Sequence, residues 1–129
     1  MDPVALAGSA VALVAPYLAE GGKELAKTIG SEASERIVKL YEKVKAKLTG
    51  GGAQALADLK KQPKDADNQA ALRVQLKKAL EADPAFRAEL ATLVEEIKAK
   101  GGDQIIQTAN ITGDQNVTKQ IAGSGNVVG

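Results

Sequence analysis

The chain has 129 residues, with 17 Lys and Arg, 16 Asp and Glu, and neither His nor Cys. Without His and Cys it lacks the usual ligands of structural zinc, the cysteine nucleophile and the Ser-His or Cys-His pair, so we predict no enzyme, cofactor or metal site. A net charge of +1 and an aromatic content of 2% disfavour a nucleic-acid-binding surface. The length allows one hydrophobic core with at most an appended module.

The composition changes near Gly101 and Gly102. Residues 1–100 are rich in Ala, Leu, Lys and Glu and hold all but one of the basic and all but two of the acidic residues. These are strong helix formers, so residues 1–100 are predicted to be an α-helical domain. Residues 101–129 are mostly Gly, Asn, Gln, Thr, Ile and Val, which favour turns and strands. The predicted fold is therefore mainly α, a small helical bundle followed by a short C-terminal β-repeat.

Capping residues, glycines and prolines mark the predicted helices. Asp2-Pro3 and Asp83-Pro84 each place an N-cap acceptor before a proline, so helices are expected to begin near residues 3 and 84. One apolar stripe runs across Gly30 and predicts a single helix, kinked or straight, over 23–48. The helices are predicted at about 3–20, 23–48, 53–61, 66–82 and 84–100. Each of those after the first has a narrow apolar stripe and a charged opposite face, as in a bundle.

The first helix differs because residues 3–19 carry no charge. A helix that spans a bilayer needs about 20 apolar residues, with a lower limit of about 17, and this one is rich in Ala and contains Pro16. The sequence leaves two interpretations open, a core helix buried on most sides or a membrane-seeking helix released when the bundle opens. The apolar residues of the second interpretation are Val4, Leu6, Val11, Leu13, Val14 and Leu18. No basic residue precedes the apolar run, so it fails as a secretory signal and a cytoplasmic location is expected.

The C-terminal segment contains an internal repeat. Residues 110–118, NITGDQNVT, align with residues 120–128, QIAGSGNVV, and both contain Ile-x-Gly-x-x-Asn-Val. A shorter copy, GDQIIQ, stands at 102–107 and matches GDQNVT at 113–118. The copies thus recur every ten or eleven residues. This period fits short strands joined by glycine turns, and such strands could be completed as a β-arch, a solenoid or a cross-β stack.

Two or three such strands cannot bury either face alone, so we expect other copies of the chain to complete the sheet as a homo-oligomer or filament. A disordered Gly/Asn-rich end and a hairpin folded back on its own bundle are the alternatives. The residues predicted to mediate self-association are Ile105, Ile106, Ile111, Gly113, Asn116, Val117, Ile121, Gly123, Asn126, Val127 and Val128.

Residues 120–128 resemble the short amyloid motifs of signalling proteins, both the RHIM type with its Gln-Ile-Gly-x-x-Asn core and the HET-s-like motifs with Gly and Asn at turns. Ala122 is an insertion relative to the RHIM core. In those families the motif follows a helical domain of the HeLo or bacterial Bell type, whose apolar first helix attacks membranes after the motif assembles. The resemblance implies a similar arrangement here and an upstream partner that carries a related motif.

We therefore expect a non-enzymatic self-assembling protein. Its C-terminal repeat would form a homo-oligomer or filament, and the helical domains would be displayed on that assembly. The alternative from another class is a membrane-permeabilising defence or cell-death effector, in which assembly of the repeat triggers the N-terminal helix. The two differ in whether residues 3–19 remain in the bundle core or act on a membrane.

Overall fold

A computed structural model describes residues 2–106 of the chain. Within this range six α-helices are followed by a π-helical turn, and no strand is present. The helices are α1 Pro3–Glu20, α2 Gly22–Ile29, α3 Ser31–Lys47, α4 Gly51–Lys61, α5 Ala66–Ala82 and α6 Pro84–Ile97, and the π turn is Lys98–Gly102. The predicted helical bundle is confirmed.

The predicted N-caps form as expected. A side-chain oxygen of Asp2 accepts from the backbone N–H of Ala5 at 2.8 Å, and one from Asp83 accepts from Ala85 and Phe86 at 3.1 and 3.2 Å. Each bond satisfies a donor that the first turn of a helix leaves without an intrahelical partner. These caps fix the starts of α1 and α6.

The prediction of one helix over 23–48 is wrong, because the chain forms α2 and α3 with a break between them. Gly30 has a φ of 95° and ψ of 156°, which lies outside the helical region and is accessible to glycine. The apolar stripe continues across the break, with Ile29, Ala33 and Ile37 all buried. Burial on one face therefore did not require a continuous helix.

The core surrounds α1, which packs against each of the five other helices. Its partners contribute mainly leucines, including Leu40 of α3, Leu59 of α4, Leu76 of α5 and Leu90 of α6, each no more than 1% exposed. Ala-rich α1 allows close approach of its neighbours, and the larger side chains around it fill the space between helices. The bundle is thus built around its N-terminal helix.

The prediction of β structure for residues 101–129 is wrong for residues 103–106, which are helical. The side chain of Ile106 is 7% exposed and belongs to the hydrophobic core, and Ile105 packs against the core while half-buried. Burial against the bundle outweighs the β propensity of two consecutive isoleucines. The rest of the predicted β-repeat, residues 107–129, lies outside the described residues.

Candidate self-association segment and N-terminal helix

The predicted membrane helix corresponds to α1, and most of its apolar residues are buried. Leu6, Val11, Leu13 and Val14 are at most 1% exposed, whereas Val4 at the N-terminal end is 62% exposed. Leu18 is half-buried against the core. This is the placement expected of a core helix, because apolar residues on several sides of one helix are covered by its neighbours.

By length and composition alone, α1 could also cross a membrane. It has 18 residues with a mean hydropathy of 1.4, values that the core helix of a soluble protein reaches as well. Transfer of α1 to a bilayer would remove it from contact with all five other helices. Any action of α1 on a membrane therefore requires the bundle to open.

Ion pairs join α3 to α6 and to the π turn along the surface. Lys43 lies 3.3 Å from Glu89, and Arg36 lies 3.9 Å from Glu96. These four side chains are substantially exposed, so each pair contributes little to stability. They place opposite charges side by side along the facing surfaces of α3 and α6.

A further ion pair, between Lys47 and Asp83, involves the N-cap residue of α6. Lys47 donates a hydrogen bond to the Asp83 carboxylate, and its ammonium also lies 5.6 Å from the centre of the Phe86 ring. The bond from Lys47, helped by the backbone N–H of Phe86, holds the pKa of Asp83 below its ordinary value. The α3 C-terminus is thereby attached to the start of α6.

The C-terminal junction is shaped by two adjacent glycines. Gly101 has a φ of 120°, and a Cβ there would lie 2.7 Å from the carbonyl oxygen of Ile29. A Cβ at Gly102 would overlap the Cγ2 methyl of Ile97. Lys100 forms an ion pair with Glu32 at 3.4 Å across the same junction. The close approach positions residues 103–106 against the bundle.

The remaining predicted self-association residues lie outside the described part of the chain. They are Ile111, Gly113, Asn116, Val117, Ile121, Gly123, Asn126, Val127 and Val128. Of the predicted set only Ile105 and Ile106 have a described position, and both lie against the bundle.

A shallow surface depression of about 530 Å³ lies between the end of α1 and the α4–α5 loop. Leu18 and Ala19 line one side, and Lys60, Lys61 and Lys64 contribute to the other. Within residues 2–106, no three Asp or Glu side chains lie close enough together to hold a metal ion.

Sequence reasoning missed two structural contacts. Ser34, buried at 4% exposure, was not identified, although it stands beside Ala33 and three residues before Ile37 in the apolar stripe. Gly101 was interpreted only as a boundary, whereas it lies against the backbone of Ile29. The position of Ser34 in the stripe could have indicated its burial, but nothing in the sequence indicates the contact at Gly101.

Comparison with known proteins finds no matching family model, and the chain has no significant similarity to a curated protein or to a solved structure.

Proposed function

We propose that the protein is a non-enzymatic self-assembling protein whose C-terminal repeat drives formation of a homo-oligomer or filament that displays the helical bundle. The observation that carries this proposal is the return of Ile-x-Gly-x-x-Asn-Val at 111–117 and 121–127. A repeated strand-turn unit cannot bury its apolar side chains alone and is stabilised by stacking on further units.

The surface of the bundle supports an intermolecular partner for the repeat. Among residues 2–106 the large hydrophobic side chains that remain exposed are Val4 and Val74. They are single residues on α1 and α5, which is normal for a protein surface and offers little apolar area to cover. For the isoleucines and valines of the copies at 110–118 and 120–128, another copy of the repeat would therefore be a more extensive apolar partner than this bundle.

The residue types of the repeat suit in-register stacking of identical chains. Asn116 and Asn126 would each form a ladder of side-chain amides along the stack, and Ile111 and Ile121 would form apolar columns. Gly113 and Gly123 provide backbone freedom for the corners between strands. The resemblance to amyloid signalling motifs supports the same assembly, with an upstream protein carrying a related motif as a further partner.

Charge substitution in the repeat tests the proposal. Ile111→Lys and Ile121→Lys would each place a like charge at the same level of every chain, in addition to removing burial. We expect both variants to remain in the supernatant where the parent sediments. Val74→Lys, which exchanges an exposed valine of α5, is the matched control and should sediment like the parent. Sedimentation of both isoleucine variants at the parental level would contradict the proposal.

The composition of α1 favours a second candidate, a membrane-permeabilising effector triggered by assembly of the repeat. Its specific requirement is that α1 leave the core of the bundle. Dye-filled liposomes exposed to assembled protein would then leak, and they would stay sealed with assembled protein that lacks residues 1–20. Sealed liposomes with both proteins would contradict this candidate and leave the scaffold function unaffected.

A further inference from the structure

Residues 102–106 of the first copy of the repeat lie in the described part of the chain, where they are not a strand. Residues 102–106 read GDQII and align with GDQNV at 113–117, so that Ile106 corresponds to Val117. In the bundle, residues 103–106 are helical and the Ile106 side chain is 7% exposed. A segment that carries the repeat pattern is thus held in another conformation.

Two contacts place the start of this segment at the junction of α2 and α3, and the burial of Ile106 holds its end on the bundle. The backbone of Gly101 approaches the Ile29 carbonyl so closely that a Cβ would lie 2.7 Å from its oxygen. The Lys100 ammonium lies 3.4 Å from the Glu32 carboxylate. Ile106 completes the hydrophobic core. Residues 100–106 therefore dock on the bundle through backbone fit, charge and apolar burial together.

The docked helix and a strand exclude each other for residues 103–106. In a strand, Ile105 and Ile106 would point to opposite faces and their backbone groups would pair with a neighbouring strand. In the docked conformation, Ile106 points into the core and the backbone is helical. Addition of this copy to a β assembly requires it to leave the bundle first.

We propose that residues 102–106 are a restrained copy of the repeat, withheld from assembly by docking on the α2–α3 junction. This inference rests on the proposed self-assembly through the repeat. The copies at 110–118 and 120–128 begin the assembly, and the docked copy joins only after it undocks. While this copy is docked, each chain offers only two copies to the forming sheet instead of three, so docking slows nucleation and sets the length of the assembled β segment.

The substitution Gly101→Ala tests the restraint, because it disturbs docking at a position outside the repeat units. An alanine Cβ there would clash with the Ile29 carbonyl oxygen and would have to adopt a φ of 120°, which destabilises the docked conformation and raises the undocked population about tenfold or more. Gly50→Ala is the matched control, since Gly50 also has a positive φ, 54°, but lies between α3 and α4 with nothing within 4 Å of its Cβ position. Both variants should keep the helical circular dichroism spectrum of the parent.

The measurements are the lag time of unseeded assembly, followed by thioflavin fluorescence, and amide hydrogen exchange of the assembled protein. We expect Gly101→Ala to shorten the lag and to protect the amides of residues 103–107 in the assembly from the outset, while Gly50→Ala matches the parent. If Gly101→Ala fails to fold, Lys100→Glu replaces the exposed ion pair with a repulsion between two carboxylates and should shorten the lag by a smaller factor, and adding Glu32→Lys should restore the parental lag.

Equal lag times and equal protection for Gly101→Ala, Gly50→Ala and the parent would overturn the restraint while leaving self-assembly intact. The absence of assembly in all three proteins would overturn self-assembly itself and the restraint with it.

Discussion

The hydroxyl of Ser34 donates a hydrogen bond to the carbonyl oxygen of Gly22 at 2.9 Å and ties α3 to the start of α2. Ser34 is 4% exposed and is the buried polar residue of the described part of the chain. The bond holds the two helices together across the break at Gly30. A buried polar group is tolerated in a core when its hydrogen bond is made.

Ser34→Ala should therefore lower the free energy of unfolding by about 1 kcal/mol, the usual net contribution of one such bond. The measurement is urea denaturation followed by circular dichroism. Ser31→Ala changes an exposed serine of the same helix and should leave the urea midpoint close to that of the parent. Equal midpoints for both variants would show that the Ser34 bond contributes nothing.

Leu13→Glu should unfold the bundle. Leu13 is 0% exposed at the centre of α1, and an unpaired buried carboxylate costs several kcal/mol, comparable with the whole stability of a small domain. Val4→Glu places the same charge on the same helix at a position that is 62% exposed, and it should keep the parental thermal midpoint. A folded Leu13→Glu protein would contradict the core position of α1.

Asp83→Asn separates the charge of Asp83 from its capping function. The amide oxygen can still accept from Ala85 and Phe86, but the ion pair with Lys47 is lost. Because the folded pKa of Asp83 is lowered, its charge stabilises the fold at pH values above the ordinary carboxyl pKa, about 4. This stabilisation disappears as the pH falls through the lower folded pKa.

The parent should thus have a higher urea midpoint than Asp83→Asn at pH 7, and the difference should shrink at pH 3 and below. Lys43→Met, which removes the more exposed pair with Glu89, should alter the midpoint less than Asp83→Asn at pH 7. A difference between parent and Asp83→Asn that is constant from pH 7 to pH 2 would exclude an electrostatic contribution from Asp83.

Local sequence signals predicted much of the helical fold. The N-caps Asp2 and Asp83 marked helix starts correctly, since a cap depends on residues within one turn. The break at Gly30 was missed because the apolar stripe has the same register on both sides of it. Helical periodicity reports which face is buried, and it does not report a change in backbone direction that preserves that face.

The candidate site was harder to predict because its conformation depends on distant contacts. Ile105 and Ile106 have high β propensity, yet they pack against the hydrophobic core of the bundle. Gly101 lies against Ile29 although all of α3, α4, α5 and α6 separate the two residues in sequence. Such a contact cannot be inferred from spacing along the chain.

Two truncations test whether Ile106 belongs to the bundle. A chain that ends at Ile106 should retain the core, whereas one that ends at Gly102 loses a side chain that is only 7% exposed. Burial of an isoleucine is worth about 1.5–3 kcal/mol, so the shorter chain should unfold at a clearly lower urea concentration. Identical unfolding curves would show that residues 103–106 add nothing to the bundle.

The most direct test of self-assembly through the repeat compares the full chain with the chain that ends at Ile106, at the same concentration, by sedimentation velocity with negative-stain imaging of the same samples. Because the shorter chain keeps every described core residue, the comparison isolates residues 107–129. We predict large oligomers or filaments from the full chain and a helical monomer from the shorter one. Equal sedimentation of the two as monomers, or equal assembly of both, would contradict the account.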